Sequence, residues 1–106
     1  MNYNFTENQV FEAKKDMRKK IFFLLLIKDP SNEREYRDID VSKVFDSTVA
    51  KITGYNKILS YPAELISVVA LLEAARLELQ KKEFNFRVYR KLILDAGSEV
   101  EKIKEV

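Results

Sequence analysis

Cysteine, histidine and tryptophan are absent from this chain, and glycine and proline occur only twice each. Without cysteine there is no disulfide, no thiolate nucleophile and no sulfur ligand for zinc. Without histidine there is no imidazole ligand and no side chain that ordinarily titrates near neutral pH. Two glycines cannot build a Gly-rich phosphate loop, and so little turn punctuation disfavours an all-β fold. Long apolar runs are missing as well: the longest, Ile21 to Ile27, covers seven residues, against the roughly 20 that a bilayer requires. The basic stretch Lys14 to Lys20 ahead of that run resembles the charged region of a signal peptide. Lys28-Asp29-Pro30 nevertheless follows where a small-residue cleavage site would stand. These absences lead to the expectation of a cytoplasmic protein that is not an enzyme, holds no metal or cofactor and does not insert into a membrane.

What is present favours helices. Of 106 residues, 46% are apolar and 34% charged, a profile that suits one domain with a single core. Start and stop signals divide the chain into four helices at about 7–28, 41–53, 62–82 and 86–104. Thr6-Glu7-Asn8-Gln9 has the spacing of a capping box and Phe5 can staple onto Val10. Val10, Ala13, Met17, Ile21 and Leu24 then share one face, and Pro30 ends the first helix by disfavouring helical geometry at Asp29. A polar connection runs from Asp29 to Asp40, with room for one helical turn after Pro30. Asp40 caps the second helix, whose stripe is Val41, Val44, Phe45, Val49 and Ile52, and Gly54 is expected to end it in a left-handed conformation. Pro62 suits the start of the third helix and Lys81-Lys82 its end. Asn85 caps the fourth, Phe84 can staple onto Tyr89, and Phe86, Tyr89, Ile93, Ala96, Val100 and Ile103 recur at spacings of three and four.

The third helix is the unusual one. Stepping about 100° per residue, Leu65, Val68, Leu71, Leu72, Ala75 and Leu79 form one stripe, and Ile66, Ala70, Ala74 and Leu77 form a second, roughly opposite. A surface helix needs only one. The expected fold is therefore an all-α, single-domain four-helix bundle with a central apolar third helix, whose second stripe is covered by the first helix or by another subunit. Ala96-Gly97-Ser98 in the fourth helix, beside Ala74 and Ala75 in the third, predicts a close crossing near Gly97 and Ala75, so that Gly97→Leu would destabilise the fold. Glu73, inside the apolar helix, is a candidate acid or base if buried, although Arg76 three residues on makes an ion pair the simpler role.

Charge is segregated along the chain. Residues 1–28 carry six lysines and arginines against three carboxylates, residues 29–48 carry three against six, and residues 81–94 carry five against one. Lys15, Arg18 and Lys19 in the first block, with Lys81, Lys82, Arg87, Arg90 and Lys91 in the last, are the candidate contacts for a nucleic acid, and interleaved aromatics could stack on bases. Phe84, Phe86 and Tyr89 nonetheless occupy staple and seam positions that bury them as core. Val49 to Asn56 has the small-residue and glycine spacing of a helix-turn-helix, but Ser60 and Pro62 break its continuation.

The reading is therefore of a non-enzymatic protein acting through protein contacts, as an adaptor, inhibitor or regulator, and forming a homodimer. Its candidate interface is Ile66, Ala70, Ala74 and Leu77 with Phe22, Phe23 and Leu26. The alternative is a nucleic-acid-binding regulator that uses the two basic blocks.

Overall fold

The structure is a computed structural model that describes residues 7–104. The capping box at Thr6 and the Phe5 staple lie outside the described residues. Four α-helices are present among the described residues: α1 (Glu7–Leu26), α2 (Val41–Gly54), α3 (Ala63–Leu79) and α4 (Phe86–Glu101). Each packs against its neighbours in sequence, and α4 closes the ring against α1. Successive helices run antiparallel, as in an up-down-up-down bundle: the end of α1 shares a groove with the start of α2, and the end of α2 with the start of α3. No strand occurs among the described residues.

The expected seams form the core. Val10, Ala13, Met17, Ile21 and Leu24 of α1 are buried, as are Phe45 and Ile52 of α2, Leu65, Val68, Leu72 and Ala75 of α3, and Tyr89, Ile93, Ala96 and Val100 of α4. Local caps behave as their chemistry requires. The Asp40 side chain accepts from the Lys43 amide at 3.3 Å, and the Asn85 side chain accepts from the amides of Arg87 and Val88. Phe84 meets Tyr89 edge-on with ring centroids 5.7 Å apart, which is the staple read from the sequence, but of the three aromatics expected in the core only Tyr89 is buried: Phe84 is exposed and Phe86 half-buried. The polar connection holds the turn expected after Pro30, a 3-10 turn at Pro30–Asn32 whose leading Asp29 accepts from the Ser31 amide. It is anchored on α1, because Asn32 donates to the Leu26 carbonyl at 3.2 Å and Tyr36 packs edge-on against Phe23.

Two buried charged side chains hold the helix ends. Lys14 is buried and donates to the carbonyl of Ile103 at 2.7 Å and to that of Glu101 at 3.3 Å. A cation on α1 thereby satisfies acceptors that the end of α4 leaves free. Glu78 is buried at the end of α3, pairs with Lys81 at 2.9 Å and accepts from the Asn85 amide at 3.0 Å. The hydrogen bond from Lys81, followed by that from Asn85, holds its carboxyl below the ordinary range. The α3–α4 corner is clamped by one side chain.

Several sequence expectations need correction. Gly54 is the last residue of α2 and has no positive φ. The left-handed residues are Ser60 (φ 63) and Tyr61 (φ 52), which turn the chain into α3 after the Tyr61 amide bonds to the Asn56 carbonyl. Residues 55–60 form turns where a recognition helix would be needed. Arg76 does not turn to Glu73: it pairs with Asp46 of α2 at 2.9 Å and lies over the Phe45 ring at 5.2 Å, while Glu73 is exposed.

The crossing at Gly97 is also absent. A Cβ at Gly97 would find no neighbouring heavy atom within 4 Å outside its own helix, because the residue lines an open groove facing Arg18, Ile21 and Phe22 of α1. The fully buried alanines Ala75 and Ala96 mark the packed sides of α3 and α4 instead. Since the space at Gly97 is free, the intrinsic cost of helical glycine dominates, and Gly97→Ala should raise stability by about 0.5–1 kcal/mol in urea denaturation. A lower urea midpoint would mean that this position is packed after all.

A buried-edge pair links α1 to the end of α2. The Tyr55 hydroxyl donates to Asp16, which Lys20 also contacts at 2.9 Å. Burial works to raise the Asp16 carboxyl, but the hydrogen bonds from Tyr55 and Lys20 outweigh it and hold the group below its ordinary 3.8. Burial, then the bond to Asp16, pushes the Tyr55 phenol up to about 12. The depressed carboxyl contributes stability that is present above its ordinary range and is lost as pH falls through its folded value. The raised phenol contributes stability that is complete below pH 10.0 and is lost between there and about 12. Tyr55→Phe should therefore flatten the alkaline limb of a urea-midpoint profile above pH 10; an unaltered limb would contradict the linkage.

Candidate interaction surfaces

The two stripes of α3 have opposite fates. Leu65, Val68, Leu72 and Ala75 are buried, and Leu71 and Leu79 pack at the edge of the core. On the other side Ile66 is 75% exposed and Leu77 61% exposed, Ala70 is exposed and Ala74 half-buried. The helices that α3 packs against are α2 and α4, so α1 does not cover this stripe. The outward face follows Ala63, Ile66, Ala70, Glu73, Leu77 and Gln80, all exposed, at alternating spacings of three and four. That is the pattern with which one helix packs along another.

The remaining candidate interface residues lie elsewhere. Phe22, Phe23 and Leu26 line a groove of about 630 Å³ between the second half of α1 and the first half of α2, together with Val44 and Ser47. Phe22 is 51% exposed, whereas Phe23 and Leu26 are half-buried. Phe22 also borders the smaller α1–α4 groove that runs past Ile93, Leu94 and Gly97, so its ring forms the ridge between two depressions. The structure thus divides the candidate interface into two surfaces, on helices that are not neighbours in the ring. The sequence could not separate them, because the apolar end of α1 and the second stripe of α3 look like equal surpluses until the ring order is known.

The basic residues likewise do not converge. Arg18 contacts Glu101 at the end of α4, Lys15 is exposed on α1, and Lys19 lines the α1–α2 groove. Lys81, Lys82, Arg87, Arg90 and Lys91 surround the α3–α4 corner, which packs on the far end of α1: Tyr89 bonds to the Leu24 carbonyl and Lys28 lies over the Phe84 ring. At 1.5 Å per residue, the centres of the two clusters are about 9–15 Å apart along α1. Arg18, Lys81 and Lys91 are each paired with a carboxylate, respectively Glu101, Glu78 and Asp95. The fold makes two small cationic regions and no continuous stripe.

No group of three or more carboxylates that could hold a metal ion occurs among the described residues. No helix among them is long and apolar enough to cross a membrane. Comparison of the chain with protein-family models, with curated proteins and with solved structures finds no match.

Proposed function

We propose that this chain is a non-enzymatic cytoplasmic protein that works by protein contact, as an adaptor, inhibitor or regulator, and that it pairs with a second copy through the outer face of α3. The observation that carries the reading is the exposure of Ile66 and Leu77 on a helix whose other face is fully built into the core. Scattered apolar residues on a surface need no explanation, but an ordered row at packing spacing does.

The row is self-complementary. A two-fold axis passing between residues 71 and 72 would set Ile66 against Leu77 of the other copy, Ala70 against Glu73 and Ala63 against Gln80. Each pair is symmetric about that point, as an isologous interface demands. The alanines permit close approach and the larger residues fill the two ends. Two isoleucines and two leucines with small neighbours amount to far less than the ~1,600 Å² of a standard stable interface. A weak dimer follows, with a dissociation constant on the order of 100 μM.

Sedimentation equilibrium between about 10 μM and 1 mM tests this. The average mass should rise from monomer towards dimer across the range; a monomer at 1 mM would overturn self-association.

A further inference from the structure

The groove between α1 and α2 is a separate surface with its own chemistry. Its apolar lining is Phe22, Phe23, Leu26 and Val44, and Lys19, Lys20 and Lys43 join them with no carboxylate. Lys20 is engaged by Asp16. Lys19 and Lys43 are exposed, and their ammonium groups have no partner among the described residues. An apolar trough with free cations on its rim is complementary to an apolar ligand with anionic edges.

The placement of the cations distinguishes ligand shapes. Lys19 and Lys20 stand on the α1 wall and Lys43 on the α2 wall. The antiparallel register is fixed by the bond from Tyr55 to Asp16. Counted from that bond, Lys43 lies about 18 Å along α2 and Lys19 about 4.5 Å along α1, so the backbone positions of the two lysines are offset by about 13 Å on opposite walls. A single-headed amphiphile would place its one charge at one end and leave the other cation unmatched. An amphipathic helix with acidic residues on both flanks of its apolar stripe, two turns apart, would reach both, since two turns rise about 11 Å. We infer that the α1–α2 groove is a docking site for an acidic amphipathic helix of a protein partner, seated by its apolar stripe on Phe22, Phe23 and Val44 and held by Lys19 and Lys43. The inference shares with the preceding reading the premise of action by protein contact. It does not depend on self-association, which uses α3.

The test uses two synthetic 15-residue helical peptides with the same leucine stripe, one flanked by glutamates and the other by lysines, titrated into the full chain while its amide resonances are followed. The Glu-flanked peptide should bind with micromolar affinity and shift the amides of Phe22, Phe23, Val44 and Ser47. Its affinity should fall at least tenfold in K19E/K43E, and the Lys-flanked peptide should gain by a similar factor in the same variant. Both lysines are exposed, so the variant should keep the wild-type thermal midpoint. Equal binding of the two peptides, no binding at 1 mM, or shifts confined to α3 would overturn the proposal. So would dodecanoate occupying the groove while the Glu-flanked peptide does not, an outcome that would assign the site to small anionic amphiphiles. A chain that is monomeric at 1 mM but binds the Glu-flanked peptide would reject the α3 dimer and leave the groove standing.

Discussion

Tyr89→Ala should lower the thermal midpoint of this domain by roughly 15–30 °C, the largest effect expected of any single truncation. Tyr89 is fully buried and its ring meets Phe45, Phe84 and Phe86, so α4 is joined through it both to α2 and to the corner that follows α3. Removing a buried aromatic of this size costs about 3–5 kcal/mol, a large share of the ~5–15 kcal/mol that holds a small domain together. A second loss comes from the hydroxyl, which donates to the Leu24 carbonyl at 2.6 Å. A continued α1 would satisfy that carbonyl with the Lys28 amide, but the Lys28 amide turns to Leu25 instead. Tyr89 thus caps the end of another helix, and burial pushes its phenol well above the ordinary range. Tyr89→Phe isolates this part: the ring stays, a buried carbonyl loses its donor, and the expected cost is about 1–3 kcal/mol. Urea denaturation of the two variants separates packing from capping. If Tyr89→Phe matched the wild type, the capping role would be wrong.

That double role shows where sequence reasoning holds and where it stops. The seam from Phe86 to Ile103, the Asn85 cap and the Phe84 staple were legible because each depends on residues within a few positions of one another, where helix geometry alone decides who meets whom. The hydroxyl of Tyr89 could not be assigned, since its acceptor lies 65 positions away on a helix whose last turn had first to tighten. Arg76 makes the same point. It lies on an apolar helix, and nearest-neighbour logic paired it with Glu73; the folded chain offers Asp46 and the Phe45 ring on α2, where the cation is partly desolvated and better held. Gly97 misled for a related reason. A helical glycine invites a packing explanation, but the groove beside it is empty.

The split of the candidate interface has the same origin. Periodicity identifies an apolar face without identifying what covers it. In a ring of four helices each member has two neighbours and one outward side, and the order of the ring decides which stripe faces out. For α3 the outward side is the Ile66–Leu77 stripe, and for α1 it is the ridge at Phe22.

Glu73→Leu should strengthen self-association roughly 30- to 100-fold, and this opposite-signed result is the sharper test of the α3 dimer. In the antiparallel pair each Glu73 lies opposite Ala70 of the other copy, and the two Glu73 positions are offset by three residues, about 4.5 Å along the axis. Two carboxylates at that spacing repel each other, and both are partly desolvated by the apolar residues on either side. Leucine removes the repulsion and completes the row Ile66, Ala70, Leu, Leu77, adding two buried side chains per dimer at roughly 1–1.5 kcal/mol each. The converse substitution, Leu77→Glu, removes both leucines from the pair and places a charge against each Ile66, so no dimer should be detectable at 1 mM. Because Leu77 is 61% exposed in the single chain, its monomer should unfold within about 0.5 kcal/mol of the wild type. Any new exposed leucine adds some general stickiness, and Glu35→Leu, on the exposed connection between α1 and α2, measures that contribution. Sedimentation equilibrium of the three variants should rank Glu73→Leu tightest, Glu35→Leu unchanged and Leu77→Glu monomeric. Equal tightening by both leucine substitutions would show that the effect is general hydrophobicity and that α3 has no preferred partner face.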